Sequence, residues 1–133
     1  MEKEIPKGNT KEDYRARKQI IKDFYAHWIS EHPDKKVWNP ALNAWIHIKF
    51  KSINETSGQA SISYESTLEV FRLTDILSHA VLLKKMSPKK GDKNQKPYSE
   101  ILIMKHNSAV LVIGKQKTTG EYVQYCISAK DKK

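Results

Sequence analysis

Mostly helical spacing up to residue 80, interrupted by one short strand, and strand alternation beyond it predict an α+β protein, with helices packed on one face of a four-stranded antiparallel meander. A third observation supports the same class: 133 residues with three Trp, six Tyr and three Phe can build one core and are too few for two generous ones. One domain is expected, with a disordered tail over 1–10, a helix over 11–32, a core over 44–129 and a second tail over 130–133.

The first element is the helix TKEDYRARKQIIKDFYAHWISEHP. Thr10 with Asp13 forms a capping box in which Asp replaces Glu, and His32-Pro33 is the stop. Tyr14, Arg17, Ile21, Phe24, Tyr25 and Trp28 recur at steps of three and four, which makes one apolar stripe and one wet face. That stripe is expected to pack on the core; residues 14–28 are also the expected surface for a partner protein or a second copy. PDKKVWNPALN, with two prolines and two asparagines, reads as a connector. AWIHIKFKS (44–52) alternates as a half-buried strand, with Trp45, His47 and Lys49 opposite Ile46, Ile48 and Phe50.

NETSGQASISYEST (54–67) has the composition of a linker, yet Ile53, Ser57, Ala60, Tyr64, Leu68 and Phe71 fall on one helical stripe. Small residues in its middle predict a tightly packed helix broken near Ser61 to Ser63, with a new start at Ser63 or Tyr64. One glycine and no following lysine do not make a phosphate loop. RLTDILSHA continues as helix with Thr74 as expected N-cap. Strands are then expected at 80–86, 98–107, 109–117 and 122–129, with Asn107-Ser108 and Thr118-Thr119-Gly120 as turns.

The formal charge of +9 is uneven. Residues 84–133 hold twelve Lys against four Asp or Glu, and KKMSPKKGDKNQKP (84–97) alone holds six Lys. Such a density attracts phosphate polyanions and equally suits a solvated loop. Expected nucleic-acid contacts are Lys84, Lys85, Lys89, Lys90, Lys93, Lys96, Lys115 and Lys117, with RNA favoured over DNA. No run reaches the roughly 18 apolar residues of a membrane span, and no apolar leader opens the chain, so a cytoplasmic setting is expected. Cys126 has no cysteine partner, which removes disulfides and structural zinc; no metal and no cofactor are expected.

Nothing matches a nucleotide fingerprint or a nucleophile elbow. Histidines 47, 79 and 106 are candidates for a general acid and base, because metal-free RNA cleavage must deprotonate a 2′-hydroxyl and protonate a leaving oxygen. On the last strand, alternation sets Tyr122, Gln124, Cys126 and Ser128 against Val123, Tyr125 and Ile127. An open face carrying Tyr122, Gln124, Ser128, Lys105, Lys115 and Lys117 would suit single-stranded RNA.

The order of a strand, the segment SINETSGQASISYESTL, the helix LTDILSHAV, a lysine-rich loop and strands ending EYVQYCIS resembles the domains that accompany large polyvalent proteins of phages and conjugative elements. The resemblance covers residues 44–129. It implies the barnase, EndoU, colicin and RelE type of metal-independent endoribonuclease fold, and a protein of a mobile element. Carried over, the active groups would be His79, Lys85, Lys105, His106 and Tyr122 or Ser128, and the first helix would be an addition to the family's core. The expected function is therefore nucleic-acid binding with metal-independent RNA cleavage; the alternative is a noncatalytic protein- or nucleic-acid-interaction module.

Overall fold

A computed structural model describes residues 4–129. Residues 1–3 and 130–133 of the expected tails lie outside them. Helix α1 (Lys11–Glu31) starts at the predicted capping box, with Asp13 N–H donating to Thr10 Oγ1 at 3.1 Å. Strands β1 (Lys36–Asn39) and β2 (Ala44–His47) follow, then α2 (Phe50–Gln59), a 3-10 turn (Ala60–Ile62), α3 (Tyr64–Val70) and α4 (Leu73–His79). Four strands close the chain: β3 (Val81–Met86), β4 (Tyr98–His106), β5 (Ala109–Gln116) and β6 (Tyr122–Ala129).

The sheet has six strands in the order β1-β2-β6-β5-β4-β3, not four, and it is mixed. Antiparallel β3 to β6 form the expected meander, but β2 adds to β6 in parallel through Ile46↔Tyr122 and His47↔Val123. Three helices carry the chain from β2 at one side of the sheet to β3 at the other edge. The meander then walks back, so β6 arrives beside β2 running the same way.

Two expected boundaries shift. The connector holds β1, because Pro40 lies just past the strand and Lys35 and Asn43 take the positive φ of the flanking turns. The expected strand 44–52 ends at His47, and Phe50 opens a helix instead.

Ile21, Tyr25 and Trp28 of α1, Ala60, Val70, Leu73, Ile76 and Leu77 of the later helices, and Leu102, Met104, Leu111, Ile113 and Ile127 of the sheet form one core. Helices therefore cover one face, as expected. The α1 stripe is spent inside this core: Arg17, Ile21, Tyr25 and Trp28 are buried, so residues 14–28 offer a partner only the helix's other side. Arg17 donates to the carbonyls of Ser61 (2.7 Å), Gly8 (2.7 Å) and Pro6 (3.0 Å), which fastens the segment expected as a free tail.

The serine-rich segment is scaffold. Ser63 caps α3 by accepting from Ser66 N–H at 3.0 Å, as predicted, and Ser61 Oγ donates to Ser57 O at 2.6 Å. Ser66 Oγ accepts from Ala129 N–H at 2.8 Å, satisfying a donor on the outer edge of β6 beyond the reach of β2. Ser57 and Ala60 are buried as the stripe requires, whereas Leu68 and Phe71 are exposed. The 3-10 turn, at three residues per turn, resets the helical phase, and Ser66, Thr67 and Val70 face inward after it. Thr74 is not an N-cap: Arg72 holds that position, and Thr74 Oγ1 accepts from Trp28 Nε1 at 2.9 Å.

Among the described residues no helix is long and apolar enough to cross a membrane.

Candidate functional site

Two groups of polar side chains stand at opposite ends of the sheet. The first surrounds the C-terminus of α4. Asn39, fully buried on β1, donates from Nδ2 to the carbonyls of Leu77 (2.8 Å) and Ala80 (3.0 Å), and its Oδ1 accepts from Leu42 N–H. The last turn of α4 is thereby fixed against β1. From the other side, Ser108 in the β4–β5 turn donates to Glu69 of α3, and Asn107 there has the positive φ that a tight turn asks of Asn. These ties bring the end of β4 beside α4.

At that junction Asp75 and His79, one helical turn apart, meet His106, the last residue of β4. His79 Nδ1 lies 3.0 Å from Asp75 Oδ1, and His106 Nε2 lies 3.1 Å from Asp75 Oδ2. The two imidazole rings stack with centroids 5.5 Å apart. His79 and His106, both predicted, thus converge. Asp75 was missed, although the Asp-x-x-x-His spacing on a helix was the signal that could have found it.

The other predicted catalytic residues do not join them. Lys105 points from β4 to the face away from the helices, since neighbours on a strand alternate, and Ser128 shares its row through Val110. Lys85 lies opposite Leu102, four residues or ~13 Å along β4 from His106. Tyr122 sits opposite Lys115, seven residues or ~23 Å from the Ala129 end of β6.

The expected open RNA face is also rearranged, by a bulge. The β5–β6 register shifts between Val112 and Ile113, leaving Tyr125 without an opposite residue. Gln124 consequently faces the helices and is fully buried, with Tyr25 Oη donating to its Oε1 at 2.5 Å and its Nε2 donating to Thr56 Oγ1 at 2.7 Å. Tyr122 packs on the helix-side core under the Lys115 ammonium, which lies 5.7 Å from its ring. The far face holds instead a second apolar cluster of Tyr98, Ile101, Val123, Tyr125 and Cys126. Burial there pushes the Cys126 thiol up to about 12, so it is no nucleophile at neutral pH.

The second polar group lies at the Tyr98 end, eight residues or ~27 Å along β4 from His106. The loop between β3 and β4 folds on itself: Gly91 takes φ +80°, Asn94 N–H donates to Asp92 Oδ1 at 2.9 Å, and Lys89 N–H donates to Gln95 Oε1 at 2.7 Å. With the β5–β6 turn it borders an open cavity of about 530 Å³ that Lys89, Lys90, Lys93, Lys96 and Lys117 line. Among the described residues none of these five ammonium groups is in an ion pair. Tyr98, the aromatic residue of the cavity wall, is almost wholly buried, so its ring offers no stacking surface. Lys84 and Lys85 stand apart on the exposed edge strand β3, and Lys115 on Tyr122.

A third cluster closes the β2 side. Lys49 Nζ reaches Glu121 Oε1 at 2.7 Å, and His47 Nε2 lies 3.4 Å from Glu121 Oε2. The Lys49 hydrogen bond holds the Glu121 carboxyl below its ordinary range, while burial holds His47 below its own despite the carboxylate.

Comparison with known families matches residues 13–125 to the model of the large polyvalent protein-associated domain 3. The chain belongs to this family. The match begins in α1, so the first helix is part of the large polyvalent protein-associated domain and not an addition to it. No curated protein and no solved structure matches the chain.

Proposed function

We propose that this large polyvalent protein-associated domain is a noncatalytic docking module that holds a nucleic-acid backbone against its lysine cavity. One observation carries the reading: the five cavity lysines and the histidine pair are separated by the length of the sheet. Cleavage of a phosphodiester needs proton-transfer groups and charge-stabilising groups on the same phosphate. Docking needs only the cations. Lys89, Lys90, Lys93, Lys96 and Lys117 line one concavity, and a buried Tyr98 leaves charge without base stacking. Such a site favours phosphates over bases and is indifferent to sequence. A family named for association with large polyvalent proteins suits one module among several, and a cytoplasmic protein of a mobile element is the setting in which it would meet RNA.

Fluorescence anisotropy with a labelled RNA and with DNA of equal length tests this. If each cavity lysine meets one phosphate, the slope of log K against log salt on single strands is about −3.5. The variant Lys89→Glu/Lys93→Glu/Lys96→Glu loses binding while keeping its circular dichroism. RNA affinity unchanged in that variant would overturn the proposal.

A second reading rests on the stacked rings of His79 and His106: metal-independent RNA cleavage, with one imidazole as base and the other as acid. It predicts 2′,3′-cyclic phosphate ends formed in EDTA, abolished by either His79→Ala or His106→Ala. Intact RNA under those conditions removes it.

A further inference from the structure

We propose that Asp75, His79 and His106 form a binding site for a divalent transition-metal ion, zinc foremost. One donor atom from each residue, a carboxylate oxygen of Asp75 and a ring nitrogen each of His79 and His106, lies within 4.8 Å of the other two. The two carboxylate-to-imidazole distances are 3.0 and 3.1 Å. Zinc held tetrahedrally at 2.0–2.1 Å from its ligands sets them ~3.3 Å apart, so the carboxylate pairs need a few tenths of an ångström. The larger movement, bringing the two imidazole nitrogens together, falls to His79, a largely exposed side chain.

The frame does not depend on the ion. Asn39 fixes the end of α4, and the Ser108–Glu69 hydrogen bond fixes the turn after β4, so the backbone presents the three side chains already converged. Without metal, the Asp75 carboxylate bridges both rings. With metal, each ring turns a lone pair inward and carries its proton on the opposite nitrogen, which for neutral imidazoles changes no proton count. Ser78 Oγ and Asn107 Nδ2 also approach these nitrogens, at 3.0 and 3.3 Å, and must rotate away.

The ligand set selects the ion class. Two imidazoles with one carboxylate suit zinc, iron(II), nickel or copper(II), whereas magnesium and calcium prefer oxygen alone and copper(I) prefers sulfur. Three protein ligands leave a position for water or for a partner's side chain. The bound ion would also staple α4 to β4. This inference is independent of nucleic-acid docking, since the lysine cavity lies at the other end of the sheet.

Isothermal titration of the whole chain with zinc chloride at neutral pH, after treatment with EDTA, should show one ion per chain and no uptake of magnesium. His79→Ala and His106→Ala should each weaken that uptake about tenfold or more. His79 is largely exposed, so His79→Ala should keep the EDTA-state Tm; His106 is more covered, so the EDTA-state Tm of His106→Ala is measured beside the parent's as the control for folding. With cobalt(II) as probe, a d–d absorption band should appear in the parent and vanish in His106→Ala. Absence of zinc uptake, or uptake that survives both histidine substitutions, would sink the proposal.

Discussion

The Tyr25 hydroxyl of α1 donates to the side chain of Gln124 on β6, 99 positions later in the chain, and both residues are fully buried. Gln124 passes the connection to Thr56 of α2, so one amide joins two helices to the sheet. Burial is the main cause that raises the Tyr25 phenol well above its ordinary value, and the hydroxyl stays protonated as the donor. Gln124→Leu strips both hydroxyls of their partner and should cost about 2–4 kcal/mol in urea unfolding. Tyr25→Phe, which leaves only the amide oxygen unpaired, should cost about 1–3 kcal/mol. Equal stability of Gln124→Leu and the parent would show that the chain of hydrogen bonds contributes nothing.

Arg17 distributes its guanidinium over carbonyls from two separate segments, Pro6 and Gly8 on one side and Ser61 on the other. A lysine ammonium cannot span that fork. Arg17→Lys should therefore lose about 1–3 kcal/mol, with residues 6–10 gaining hydrogen exchange before the rest of the fold. Unchanged exchange in that segment would contradict the role assigned to Arg17.

Gly114 lies beneath the ring of Tyr98. An added Cβ would meet ring carbons at 2.6–2.7 Å, and the ring is hemmed by Tyr125 in an edge-on contact at 5.9 Å. Gly114→Ala should destabilise by about 1–3 kcal/mol. Combined with Tyr98→Leu the loss should be less than the sum, because the clash is gone; strict additivity would argue against it.

The cluster His47, Lys49 and Glu121 gives stability a sign with pH. Both His47 and Glu121 titrate lower in the folded chain than in the unfolded one. For each, the unfolded state binds protons first as pH falls, so stability is complete above the unfolded values and declines through the folded ones. Tm should be flat from pH 8 to 7 and fall below about 6.5 as His47 protonates in the unfolded chain, then again below about 4.5 as Glu121 does. Glu121→Gln should remove the lower limb and keep the upper; a Tm that rises on acidification would contradict both shifts.

Local chemistry made much of the fold legible. Thr10 with Asp13 and Ser63 with Ser66 are caps that act over three residues, and both mark their helix starts in the sequence. Asn107 and Gly120 likewise announce their turns. What escaped was nonlocal or compensated. β1 hides among Pro33, Pro40 and Asn43, turn formers that flank a four-residue edge strand ending in Asn39. The parallel pairing of β2 with β6 depends on where a meander ends, which no window of neighbouring residues encodes. On β6 one inserted residue reversed the facing of Tyr122 and Gln124 relative to Ile127, so an interface expected from strict alternation turned out to be core. At the histidine junction the two rings are legible as a class and the i,i+4 spacing pairs Asp75 with His79, but only the fold shows that His106 shares that carboxylate.

The junction of Ile46 with Tyr122 also has a consequence for synthesis on the ribosome. β6 is the strand that seats α2, joins the first hairpin to the meander and completes the burial of Tyr25. Until it leaves the exit tunnel, the aromatic side of α1 has no finished surface to rest on. The domain should therefore mature in one late step, and a nascent chain stalled before residue 122 would be a client for chaperones rather than a partly working protein.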